Sequence, residues 1–74
     1  MAPKFPVCKP KEVIGILEKK GFSKVSQKGS HIKYSDGRKT VIVPNHSELA
    51  IGTLRSILEQ AGISAEEFIK ELNK

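Results

Sequence analysis

HIKYSDGRKTVIVP, residues 31–44, decides the fold. Asp36-Gly37 lies between two segments in which apolar and polar residues alternate. That pattern predicts a β-hairpin, because a two-residue type I′ turn needs positive φ at both central positions. With Asp36 and Gly37 as the loop, Ser35 faces Arg38, Tyr34 faces Lys39, Lys33 faces Thr40, Ile32 faces Val41 and His31 faces Ile42. Directly opposed side chains share a face of the sheet. Ile32, Tyr34, Val41 and Val43 then form a core face. His31, Lys33, Ser35, Arg38 and Thr40, with Ile42, form an open one. A slip of one residue would exchange the two faces.

Upstream, SKVSQKG (23–29) reads as a further strand. Before it, Pro10 suits the first position of a helix, where its missing N–H costs nothing. Glu12 suits the helix dipole in the first turn. Val13, Ile14, Ile16 and Leu17 recur at helical spacing. Gly15 weakens this helix by about 1 kcal/mol relative to alanine and leaves room for close packing against a neighbour. Gly21 stops the helix, and Phe22 is a core residue just beyond. Downstream, Pro44 ends the hairpin and residues 45–48 form a loop. Leu54, Ile57, Leu58 and Ala61 mark a second helix from near Ile51, closed by Gly62. Ser64 and Glu67 have capping-box spacing and open a third helix that turns Phe68, Ile69 and Leu72 inward. The expected fold is α+β, in the order α-β-β-β-α-α. A three-stranded antiparallel sheet is covered by helices on one face and open on the other. Residues 1–9, with two prolines, read as an N-terminal tail, and 10–74 as a single domain.

A chain of 74 residues has room for one thin core, since domains near this size bury only about 60% of their unfolded surface. Any site is therefore a surface cleft or groove. The net charge is +5 and unevenly spread. Residues 1–45 hold ten Lys/Arg against three Asp/Glu, and residues 46–74 hold three against five. A one-sided positive surface attracts polyanions, nucleic acid among them; a solvated lysine-rich face is the alternative. Cys8 is the single cysteine, so no intramolecular disulfide forms. With no activating partner in view, it is expected to be inert. The N-terminus lacks the apolar core of a signal peptide, and no apolar run approaches the roughly 18 residues of a membrane span. These features lead us to expect a soluble cytoplasmic protein with no membrane partner.

The two histidines are His31 and His46. No Cys/His set with a third member and no Gly-rich phosphate loop accompanies them, so neither a metal nor another cofactor is expected. RNA is a substrate that requires neither, because it carries its own nucleophile, the 2′-OH beside the scissile phosphate. Histidine, with an unperturbed pKa near 6.5, can move the protons. Lys and Arg can neutralise the phosphorane. His31 beside Lys33 and Arg38, with Lys28 close along the chain, supplies these parts. A solitary histidine on a wet strand is otherwise an ordinary surface residue. His46 is expected to bond a loop backbone group and hold the strand-to-helix connection. Tyr34 should bring its hydroxyl to the rim of the core face.

Gly29-Ser30-His31, Gly37, Val43-Pro44-Asn45-His46, Gly52-Thr53-Leu54-Arg55-Ser56-Ile57-Leu58 and Ala61-Gly62-Ile63-Ser64 occur in this order. Together with Leu17-Glu18-Lys19-Lys20-Gly21-Phe22, they resemble the HicA family of toxins over about residues 10–72. The resemblance implies a fold like the double-stranded-RNA-binding domain. It implies a ribosome-independent mRNA interferase, the toxin of a toxin–antitoxin system, held in check by a HicB-type antitoxin. It implies His31 as the catalytic residue, with Gly29 and Ser30 in the same motif; Gly29 would let the backbone approach RNA or partner. The expectation is then a metal-independent endoribonuclease acting on mRNA. In it His31 serves as general acid or base, and Lys28, Lys33 and Arg38 hold phosphates. Two rivals share these residues: a non-catalytic RNA-binding module of the same fold, and an interaction protein whose basic face meets an acidic partner. The tail before the first helix is longer than the family pattern needs, and the helix is entered through Lys9-Pro10 rather than a Ser, Thr or Asp cap.

Overall fold

The computed structural model of the chain describes residues 7–74; residues 1–6 of the expected tail lie outside the described residues. The elements are α1 (Pro10–Lys19), β1 (Ser23–Lys28), β2 (His31–Ser35), β3 (Thr40–Pro44), α2 (Ile51–Ala61) and α3 (Ala65–Leu72). The strands form one antiparallel sheet in the order β1-β2-β3. This is the expected α+β class, consistent with a fold like the double-stranded-RNA-binding domain.

The register of the β2–β3 hairpin differs from the expected one. Ser35 pairs with Thr40, Lys33 with Ile42, Ile32 with Val43 and His31 with Pro44. The pairing is therefore shifted by two residues. Local bonding by two side chains is the cause. Asp36 Oδ1 accepts from the N–H of Arg38 at 2.9 Å and from that of Lys39 at 2.7 Å. Ser35 Oγ accepts from the N–H of Gly37 at 3.0 Å, and the N–H of Asp36 donates to the Lys39 carbonyl at 3.2 Å. The turn thus centres on Gly37-Arg38. Gly37 takes a φ of 94°, whereas Asp36 stays out of the positive-φ region that a type I′ turn on 36–37 requires. A shift of two keeps every side chain on its face. Ile32, Tyr34, Val41 and Val43 are accordingly all buried.

These four meet Val13, Ile16 and Leu17 of α1, Leu54, Ile57, Leu58 and Ala61 of α2, and Phe68 of α3 in one core. Helix α1 starts without a Ser/Thr/Asp cap; the N–H of Lys9 instead donates to Glu12 Oε1 at 3.0 Å. Gly15 does not serve close packing. A Cβ there would meet nothing within 4 Å, and the residue borders a shallow groove of about 260 Å³ between α1 and α3. At α3, Ser64 Oγ accepts from the N–H of Glu67 at 3.1 Å, so the cap forms from the serine side. The Glu67 carboxylate turns to Lys20 at 3.0 Å instead. Packing also begins upstream of Pro10. Cys8 is 1% exposed within the core, and its carbonyl accepts from the N–H of Leu49 at 2.8 Å.

Candidate nucleic-acid interface

The sheet has a helix-covered face and an open one. On the open face the cross-strand pairs line up as rows. One row runs Lys28, His31, Pro44, and the next runs Ser26, Lys33, Ile42. Lys28, His31 and Lys33 are all exposed. Lys28 is thus not merely near His31 along the chain; it is its direct partner on the neighbouring strand. A β-bulge at Val25 sets the register of this edge strand, and the bulge with Lys24 and Lys28 on the same strand discourages pairing with another strand.

The Gly29-Ser30 turn makes this juxtaposition. Lys28 and His31 close a two-residue loop whose first residue, Gly29, has a φ of 60° while Ser30 does not enter positive φ. That is the pattern of a II′ hairpin turn, which favours glycine at its first position. The turn itself thus accounts for Gly29. On the other side of His31, the N–H of Asn45 donates to the Ser30 carbonyl at 2.6 Å. The Ser30–Asn45 pair is therefore the hydrogen-bonded one, and His31–Pro44 falls in the non-bonded phase. Two observations agree. Pro44 has no N–H to lose, and the N–H of Ile42, two residues back, points outward to Gln60 Oε1 at 3.3 Å. In the non-bonded phase opposed Cα atoms lie only about 4.5 Å apart, which places Pro44 tightly beside His31.

Charge on this face is uncommitted. Glu67 and Glu71 pair with Lys20, Lys19 and Lys74, and Glu12 caps α1. Lys28, Lys33 and Arg38 make no ion pair among the described residues. Arg38, expected opposite Ser35 on the open face, lies instead in the turn at the far end of the hairpin. It is separated from His31 by the length of β2, roughly 13 Å at 3.3 Å per residue. Tyr34 is buried on the helix-covered face, and burial, with Glu18 adding to it, raises its hydroxyl above the ordinary range. Burial does the same to the Cys8 thiol, helped by the charge of Glu12, which suppresses the reactive thiolate.

His46 departs from expectation. It is exposed, and its imidazole makes no hydrogen bond among the described residues. The strand-to-helix connection is held by backbone groups instead: Asn45 to Ser30 at one end and Leu49 to Cys8 at the other. Pro44 and Asn45, which shape the site, are read from the sequence only as the end of a strand and part of a loop. Their signal lies in the V-P-N-H run itself. Among the described residues no three His, Cys, Asp or Glu side chains come together to hold a metal ion. No helix of the described residues is long and apolar enough to cross a membrane.

The fold is that of a small α+β protein whose open sheet face carries exposed lysines and an exposed histidine beside a Gly-Ser turn. The family model of the HicA toxin of bacterial toxin–antitoxin systems matches residues 10–63. The chain belongs to that family. No individual curated protein matches it. Helix α3 lies beyond the matched span.

Proposed function

We propose that this protein is a metal-independent endoribonuclease that cuts mRNA in the cytoplasm, with His31 as general acid or base. The observation that carries the reading is the placement of His31: exposed, its imidazole without a hydrogen bond among the described residues, directly opposite Lys28. An imidazole left unbonded is available to a 2′-OH or a leaving 5′-oxygen. Lys28 and Lys33 contact the phosphates next to the scissile bond and offset the charge that grows on the phosphorane. Arg38, at the other end of the strand, contacts a phosphate farther along the chain. Gly29 and Ser30 present this end of the sheet to RNA. A HicB-type antitoxin of acidic character covers the same face, since complementary charge speeds and orients such an encounter.

His31→Ala, incubated with RNA, tests the assignment. The variant should lose cleavage while its circular dichroism spectrum and melting temperature match the wild type. EDTA should leave wild-type cleavage intact. Wild-type protein that binds RNA in a salt-sensitive way without cutting it would replace this reading with that of a binding module.

A further inference from the structure

The ribonuclease reading leaves one step unassigned. Breaking a phosphodiester through the 2′-OH requires a group that takes a proton and a group that gives one, and His31 is a single imidazole. We infer that His46 is the second proton-transfer group, acting with His31 across one phosphodiester; this rests on the ribonuclease reading. The 2.6 Å bond from the Asn45 N–H to the Ser30 carbonyl extends the β2–β3 ladder one residue past the His31–Pro44 pair. His46 is the next residue. Carrying the strand alternation through Asn45 puts position 46 on the face of Pro44 and His31, diagonal to His31. Diagonal positions of an antiparallel pair lie roughly 7–8 Å apart, a spacing that admits a phosphate between two rings.

The loop that carries His46 is fixed at both ends by backbone bonds, at Asn45 and at Leu49. It therefore presents the ring without using it as an anchor, and the ring is exposed and makes no hydrogen bond among the described residues. The other titratable groups at this end of the sheet suit the task less well. Lys28 and Lys33 already serve as phosphate contacts in the ribonuclease reading. The Cys8 thiol is buried. Glu48, exposed in the same loop, is the competitor. Imidazole as a side-chain type suits either proton-transfer role near neutral pH. One takes the proton from the 2′-OH as the 2′-oxygen bonds to phosphorus. The P–O5′ bond breaks, and the other gives its proton to the leaving 5′-oxygen. The products are a 2′,3′-cyclic phosphate and a 5′-hydroxyl.

The experiment is the pH profile of cleavage at saturating RNA for the wild type, His46→Gln, His31→Gln and Glu48→Gln, with melting temperature and RNA affinity measured alongside. The wild type should give a bell. His46→Gln should be slower by roughly 100-fold or more and keep only one limb, with melting temperature and affinity unchanged; Glu48→Gln should keep both limbs. A His46→Gln protein that cuts at the wild-type rate, or that loses rate with both limbs intact or in step with a lowered melting temperature, overturns the inference. So does the loss of a limb in Glu48→Gln instead. Failure of the ribonuclease reading looks different: the wild type binds without cutting, or His31→Gln cuts normally, and the inference falls with it.

Discussion

Replacing Gly29 by alanine perturbs the turn that brings Lys28 and His31 together. At this position φ is +60°, and an added Cβ would meet nothing within 4 Å, so the cost is backbone strain and not collision. Positive φ costs an L-residue about 1–2 kcal/mol. Gly15→Ala provides the control. It is also an alanine placed where nothing lies within 4 Å, but at a helical φ, and there alanine should gain about 0.5–1 kcal/mol. Both replacements stiffen the unfolded chain alike, so their difference reports the folded conformation alone. With Gly29→Ala losing about 1 kcal/mol net, the two variants should differ by roughly 2 kcal/mol. For a domain of this size that is a gap of roughly 8–16 °C in melting temperature. Thermal unfolding followed by circular dichroism reads it. Gly29→Ala should melt below the wild type and Gly15→Ala above it. If both shift in the same direction, glycine at 29 is not there for its conformation, and the turn argument fails.

Lys28→Ala and Arg38→Ala should each weaken RNA binding and reduce its salt slope by about 0.7–0.9. Only Lys28→Ala should also slow cleavage at saturating RNA, because Arg38 lies a strand's length from His31; equal slowing by both would place the scissile phosphate elsewhere. Asp36 titrates below its ordinary 3.8, held there first by the backbone N–H groups of Lys39 and Arg38. A carboxylate lowered on folding contributes stability above its unfolded value and loses it as pH falls through the folded one. The melting-temperature advantage of the wild type over Asp36→Asn should therefore be present at pH 7 and shrink as the pH falls below 3.8. A difference that does not depend on pH would refute this.

Much of the fold is legible because the apolar positions repeat with the periods of their elements. The open and covered faces of the hairpin follow from alternation alone. The register did not follow, because the Asp36 and Ser35 side chains bond into the turn and move its centre to Gly37-Arg38. The correcting signal was Pro44. A turn on Asp36-Gly37 would set Pro44 opposite Gly29 in a hydrogen-bonded phase, where a residue with no N–H breaks the ladder. Moving the turn by one position puts Pro44 opposite His31, in the phase that needs no N–H. Of the candidate site, His31 and Lys33 lie on the open face that alternation gave them, while Lys28, read only as near His31 along the chain, is its cross-strand partner. Arg38 does not, since its place depended on the register. The freedom of the His46 ring was not legible, because backbone bonds from distant residues, Ser30 and Cys8, hold its loop.

The charge pattern has a structural cause that links the helices to the sheet. Glu67 and Glu71 of α3 are drawn to Lys20 and Lys19 at the end of α1, at 3.0 and 3.9 Å. Surface pairs of this kind, here with half-buried carboxylates, add little stability, about 0–1 kcal/mol each. Their consequence is where the acids end up. They neutralise lysines on the helical side and stay off the open sheet face, where Lys28 shares the row of His31 and Lys33 stands in the next. Helix α3 is fixed there by Phe68, fully buried in the common core. A helix outside the family-matched span 10–63 thus does two things. It completes the core that backs the sheet, and it brings its own Glu67 and Glu71 to the lysines at the end of α1.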